Sequence, residues 1–571
     1  MQRIEKKERT FVSDSIVFEW EKIKSYFEEL KEREIASVES LKQWLRDRSE
    51  LSAVLEEEFA WRYIRMNIDT TNEEFQKSFQ HFVQNINPKI APFEDALNRK
   101  LNDSLYLKEL SKEPDYAIML KNTQTQIELF REENIPILTQ LEEDSQKFGA
   151  IAAKMSVELD GKEYTLQQAA KMLKSTDRGL REKVYRLIQD RRIIDRKALN
   201  ELFDHLIELR QKVAQNANFD NYRDYMFKAM GRFDYTAEDC SEFHQSIAET
   251  VVPLADKMAK KRKQLLKVDH LRPWDTAVDI EGKEPLKPFE NGKELLDKTI
   301  ECFNRIDPFF GECLKQMNEK QHLDLESKKG KAPGGFNYPL YESGLPFIFM
   351  NAVGAFRDVT TMVHEGGHAI HSVLTHPLEL VEFKSLTAEI AELASMSMEL
   401  ISMDHWDVFF DNGEDLKRAK RDQLLDVLGT LPWIATIDKF QHWIYTHPNH
   451  SGEERESYWV GLMNEFGSKQ IDWSGLEDYK KGAWQKQLHL FEVPFYYIEY
   501  GMAQLGAVAI WKNYRENPKK AIEQYKNALS LGYTRSIHEV YEAAGVFFDF
   551  SKKYVSELMQ FVYKEIEQNF S

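Results

Sequence analysis

Apolar side chains recur every three or four positions through the first part of the chain. Val17, Trp20, Ile23, Phe27 and Leu30 form one set, Leu41, Trp44 and Leu45 a second, and Phe75, Phe79, Phe82, Val83 and Ile86 a third. This spacing keeps one face of a helix apolar, so it predicts consecutive helices packed antiparallel. Ser13 and Asp14 are placed to cap the first, because short polar side chains accept from the orphan N–H groups of a first turn. Thr71-Asn72-Glu73-Glu74 marks the start of another, which ends before Pro88.

The period changes at Val157 to Tyr164, where apolar and polar residues alternate around Asp160-Gly161, the pattern of a tight β-hairpin. From Gln167 to about Leu266 the period is helical again and the sequence highly charged. Arg178 to Arg196 reads as a solvated helix face, the ordinary meaning of such a run. Pro273, Pro285 and Pro288 predict a long connection, and Lys331 to Pro339 is a second breaker-rich stretch. Leu345 to Asn351 reads as a short strand with Pro346 near its start, where a missing N–H is tolerated. No fixed-period repeat is present.

Composition narrows the class. With 25 glycines and 17 prolines in 571 residues, the share falls well below the usual figure of about 12%, which excludes collagen-like and low-complexity chains. The formal net charge of −18 excludes the basic footprint of a binder of nucleic acid or anionic membrane. Three cysteines, Cys240, Cys302 and Cys313, have no C-x-x-C spacing and form no disulfide framework. Apolar runs stay short of the 18 or so residues that span a bilayer, and no apolar stretch follows the charged N-terminus. The expected location is therefore the cytoplasm.

The segment that changes the picture is Asp358-Val-Thr-Thr-Met-Val-His364-Glu365-Gly366-Gly367-His368-Ala-Ile-His371. On a helix, His364 and His368 lie one turn apart on one face, so both imidazoles reach one zinc ion, and Glu365 stands beside them to take a proton from water. Composition alone gives this pattern below roughly 0.07 times per chain of this length. Asp358 is placed to cap the helix. Gly366 and Gly367 inside it each cost about 1 kcal/mol relative to Ala, which implies close approach of another group to the backbone.

A catalytic zinc takes a third protein ligand and keeps one position open. The run Thr387 to Glu399 offers Glu389, Glu392 and Glu399, and periodicity does not choose among them. The metzincin pattern fails, since the positions that need Gly and His hold His371 and Leu374. Glu399 is suited to orient a ligand imidazole. His371 is read as packing or supporting a ligand, because three ligands from one helix would crowd a tetrahedron. His442, His447 and His450 form another cluster, split by Pro448, and are not read as a metal site.

FRDVTTMVHEGGHAIHS followed by AELASMSMEL resembles the thimet oligopeptidase and oligoendopeptidase F family of zinc metallopeptidases, nearest to its bacterial oligoendopeptidase F branch. The likeness extends to PGGFNY and PFIFMN before the motif, and to His489 and Pro494-Phe-Tyr-Tyr-Ile-Glu-Tyr500 after it. It is dense from about residue 330 to 510. The resemblance implies Glu392 as third ligand, one zinc per chain, and His489, Tyr496 and Tyr500 as groups that stabilise the tetrahedral intermediate. Between His489 and the tyrosines the spacing is longer than in the thimet branch, and the Gly-Tyr-rich loop is reduced.

The expected fold is mainly α: an elongated helical body with a small β-sheet beside the motif helix and a deep substrate channel. A helical N-terminal region, 1–195, precedes a catalytic region, 196–571. The expected activity is zinc-dependent hydrolysis of internal bonds in short unfolded peptides, with an exopeptidase, another metal hydrolase or a zinc-free helical scaffold as alternatives. Strand Phe347 to Asn351 is expected to align the peptide by edge pairing. Were the chain's negative charge to extend into the channel, it would favour basic peptides.

Overall fold

The computed structural model describes residues 3–570. Helices make up 69% of the molecule and sheets are small, so the expected mainly α class holds. No helix among the described residues is long and apolar enough to cross a membrane.

The first helix runs Trp20–Glu32, later than its predicted cap. Ser13 turns its hydroxyl to the Ser15 N–H (3.2 Å) in a tight turn, leaving Val17 half exposed. This local bond competes with capping, as short hydroxyl side chains often do. Ile23, Phe27 and Leu30 are buried on the inner face. A 31-residue helix, Val38–Ile68, follows behind the Ser37 cap. Asn72 caps Glu73–Asn85 by accepting from Glu74 N and Phe75 N. Pro88 then sits in the first turn of Asn87–Asn102, where its missing N–H costs nothing. These helices share a core around Trp44, Leu97 and Leu101, joined by Leu380 and Phe383 from the C-terminal part.

Strands β1 (Ser156–Leu159) and β2 (Lys162–Thr165) form the expected hairpin. Asp160 and Gly161 both have positive φ, 54° and 79°, as a two-residue turn matched to strand twist requires. The Arg178–Ile194 helix departs from the solvated-face reading. Arg181, 3% exposed, and Arg178 both pair at 2.8 Å with the fully buried Asp275 of the proline-rich connection.

A second sheet has the order β3-β5-β4, with β3 Leu323–Glu326, β4 Phe336–Tyr338 and β5 Phe347–Ala352. β5 is parallel to β3 and antiparallel to β4. It is thus the central strand, and edge pairing of a peptide to Phe347–Asn351 is ruled out because both its edges are already hydrogen-bonded. Its run of buried Phe347, Ile348, Phe349 and Met350 suits a strand covered on both faces. The outer edges belong to β3 and β4.

The core is centred on the Glu392 helix Ala388–Ser402, which is packed between the motif helix Phe356–Thr375 and the tyrosine helix Tyr497–Glu516. A 34-residue helix, Gly413–Thr446, buttresses the tyrosine helix. All three cysteines are buried, and none forms a disulfide.

Candidate active site

The motif helix begins at Phe356, two residues before the expected cap. Asp358 reaches back from its first turn, and its Oδ2 accepts from Val353 N (2.8 Å) and Ala355 N (2.9 Å). The two glycines account for the close packing that follows. A Cβ on Gly366 would lie 2.7 Å from the Phe303 ring, and one on Gly367 would lie 2.7 Å from Ser395 Cα and 2.8 Å from Ala394 O. The backbone of the Glu392 helix therefore runs against the motif helix where the histidines emerge. Gly367→Ala is expected to force these helices apart and weaken metal retention at least tenfold, since a backbone contact this short has no soft side chain to yield. Metal content after dialysis, read beside the melting temperature, checks it: full retention would show that the helices tolerate separation.

Within this contact the donors converge. His364 Nε2 and His368 Nε2 lie 3.4 and 3.7 Å from Glu392 Oε2. One donor atom from each of the three residues falls within 4.8 Å of the others. Glu399, two helical turns beyond Glu392, accepts from His364 Nδ1 at 2.7 Å, which leaves the Nε2 lone pair facing the cluster. Gln423 Nε2 holds the other Glu399 oxygen at 2.6 Å. Ser395 Oγ donates to Glu392 Oε2 at 2.9 Å. Glu389 turns elsewhere and accepts from the Tyr235 hydroxyl at 2.5 Å.

Electrostatics at the cluster favour a cation. Burial opposes a charged His364, but the Glu399 hydrogen bond and the Glu392 charge outweigh it and raise its pKa to about 10. Burial brings His368 down to about 4 and, with help from Glu392 and Glu399 against the opposing His364, lifts Glu365 to about 7. Glu365 is 6% exposed and lines a cleft of about 480 Å³ together with Gly335, Asn337, Tyr496 and Tyr500. The free edge of β4 runs along this cleft.

The tyrosines enter from the start of their helix. Tyr496 OH donates to Glu392 Oε1 at 3.2 Å, and its ring stands 5.2 Å from that of Tyr500. Burial first, then the Glu392 charge, pushes both phenols far above their ordinary range, so both remain O–H donors. His489 lies 6.0 Å from the Tyr500 ring, accepts at Nδ1 from Gln487 Nε2 (2.8 Å), and is pushed toward neutrality by burial.

Periodicity gave no hint of what anchors this segment. Phe495 adopts φ 69°, a left-handed conformation costly for a bulky residue. Gln441 Oε1 accepts from its N–H at 3.0 Å, and the buried Arg232 holds its carbonyl at 2.5 Å and Glu499 at 2.8 Å. Arg232, Gln441 and Glu499 thus fix where Tyr496 and Tyr500 emerge.

His371 is 1% exposed, and burial lowers its pKa to about 3. His442 does not join His447 or His450, whose rings bond to backbone carbonyls of Trp443 and His447. It instead lies 3.2 Å from Asp438 Oδ2, which also bonds His244 Nε2 at 2.8 Å. Donor atoms of Cys240, Asp438 and His442 also fall within 4.8 Å of one another.

A helix carrying two histidines one turn apart, a carboxylate from an abutting helix, and a glutamate facing the same cleft define the class of the metallopeptidases. Residues 171–560 match Peptidase family M3 and residues 16–130 match the Peptidase M3 N-terminal domain. The chain belongs to peptidase family M3, whose members carry a metal, generally zinc. It is 22% identical over 312 residues to "Oligopeptidase PepF" of Bacillus subtilis, covering 53% of this chain and 46% of that protein. It is 26% identical over 330 residues to "Oligoendopeptidase F homolog" of Borreliella burgdorferi, covering 54% and 52%. The chain thus spans about half the length of these curated relatives. A solved structure, "PZ PEPTIDASE A with inhibitor 2", superposes with TM-score 0.90 at 25% identity, covering 97% of this chain and 99% of that one.

Proposed function

We propose that this chain is a zinc-dependent oligoendopeptidase of the cytoplasm, hydrolysing internal bonds of short unfolded peptides with one zinc per chain. The observation that carries the reading is the convergence of His364, His368 and Glu392 in a cleft that also holds Glu365 and two protonated tyrosines. Two imidazoles and a carboxylate suit zinc, which would take the place of the proton that Glu399 and Glu392 hold on His364. Three buried cysteines outside any disulfide fit a reducing compartment.

When bound, zinc polarises the scissile carbonyl and acidifies the attacking water. His364, His368 and Glu392 hold it, and Glu399 fixes the His364 ring. Glu365 takes the proton from that water and returns it to the leaving amine nitrogen. Tyr500, Tyr496 and His489 supply hydrogen bonds to the oxygen that gains charge. The edge of β4 aligns the peptide as an added strand.

Mass spectrometry of products from a mixed peptide library, with and without chelator, tests the proposal. Internal cleavage abolished by chelator is expected; trimming from one terminus only, or no cleavage, would reject it. Tyr500→Phe is expected to lower kcat roughly 10²-fold, the cost of one oxyanion donor, with metal content unchanged. Tyr496→Phe should affect both, because its hydroxyl also binds Glu392. Unchanged kcat in Tyr500→Phe would remove that phenol from the reaction.

A further inference from the structure

A second and larger cavity, about 1790 Å³, adjoins the cleft. Its wall includes Gly334, next to Gly335 of the cleft, and Phe356 to Asp358, the first turn of the motif helix. Thirteen lysines and arginines line it against five aspartates and glutamates. Over the whole chain acidic residues prevail, 95 to 77. The interior is thus basic inside an acidic protein, the reverse of what a channel continuing the net charge would be.

Many of these cations are already neutralised. Lys331 pairs with Asp324, Arg418 with Asp279, and Arg196 with Asp478. Arg192 and Lys486 are among those with no ion pair among the described residues, and these two also lie close enough for the charge of one to act on the other. Arg192 Nε is buried without a hydrogen-bond partner. Lys486 has only the Trp433 ring, 4.6 Å from its ammonium. Burial, with the like charge of Arg192 second, brings the Lys486 pKa down to about 8. Two unpaired cations on separate segments, the Arg178–Ile194 helix and the Ala483–Lys486 turn, are therefore held in one wall against their mutual repulsion. Lys486 itself is exposed to the cavity, and an anion between the two cations would relieve the repulsion.

The Lys486 segment also leads to the cleft. Trp433, beneath Lys486, donates to Gln487 Oε1 at 3.2 Å, and Gln487 holds His489 beside Tyr500.

We propose that Arg192 and Lys486 form a carboxylate-binding subsite for peptide substrates, so that peptides carrying an acidic side chain or a free C-terminal carboxylate within reach of this wall are preferred over neutral ones. The inference rests on the oligopeptidase reading and names its substrate class.

Equilibrium binding to the metal-loaded Glu365→Gln protein tests it without turnover. The probes are labelled peptides of one sequence, one arm replacing Glu by Gln and the other replacing the C-terminal acid by its amide. At least one arm is expected to lose about tenfold in affinity, the scale of a hydrogen bond to a charged group, and the arm that does identifies which carboxylate is held. The preference should shrink as salt rises. Adding Lys486→Glu or Arg192→Glu should invert it toward peptides with Lys in place of Glu, an outcome misfolding does not produce, and Lys486→Arg should restore it. Equal affinity in both arms, or an undiminished preference in the charge-reversed proteins, overturns the subsite. Absence of cleavage by the wild-type protein would instead reject the hydrolytic reading, while the binding ratio still judges the subsite.

Discussion

Glu365→Gln is expected to retain its full metal content and to lose between about 10² and 10⁴ in kcat, the range set by loss of a general base. The amide has the shape of the carboxylate but accepts no proton at neutral pH. Glu365 contributes none of the three converging donor atoms, so the substitution leaves the metal cradle intact. It is also 6% exposed, so bulk buffer has poor access to replace it. Elemental analysis beside turnover of an internally quenched peptide separates the two effects. Near wild-type turnover would refute Glu365 as base, and loss of metal would show that it belongs to the cradle.

The part of this site legible in sequence is the part lying on one helix. His364, Glu365 and His368 follow from spacing alone, because four residues make about one turn. The double glycine signalled close approach: Gly366 meets the Phe303 ring and Gly367 the Glu392 helix. Which glutamate faces the histidines was not legible from periodicity, since Glu389, Glu392 and Glu399 share one apolar helix. Their partners separate them: Glu389 meets Tyr235, Glu399 meets His364 Nδ1, and Glu392 meets both Nε2 atoms. Resemblance selected Glu392 where spacing did not.

What stayed hidden depends on pairings distant in sequence. Arg232 and Glu499 are 267 positions apart, and no local pattern announces their ion pair. Leu345 to Asn351 reads correctly as a strand, yet nothing within it reveals that β3 and β4 occupy both edges. The sign of the cavity was hidden for a related reason. Net charge sums over all surfaces, while folding gathers thirteen cations, Arg192 and Lys486 among them, on the wall of one cavity and leaves most carboxylates outside it.

Glu392→Ala is expected to lose both metal and activity, and it is the sharpest test of the ligand set. Tight structural zinc sites gain about 10–16 kcal/mol from four ligands, so removing one of three protein ligands weakens binding by roughly 3 kcal/mol, or about 10²-fold. The loss should be larger here than ligand counting suggests. Without Glu392, His364 and His368 face each other with no anion between them, and Ser395 Oγ and Tyr496 OH lose a shared acceptor. Glu389→Gln serves as the comparison. It sits one turn earlier on the same helix, equally buried, and its amide oxygen still accepts from Tyr235. Metal retention is therefore expected in Glu389→Gln and lost in Glu392→Ala, with both proteins folded by circular dichroism. The opposite pattern would move the third ligand to Glu389, and retention in both would show that two imidazoles suffice or that Glu399 turns from His364 Nδ1 to take the vacant place.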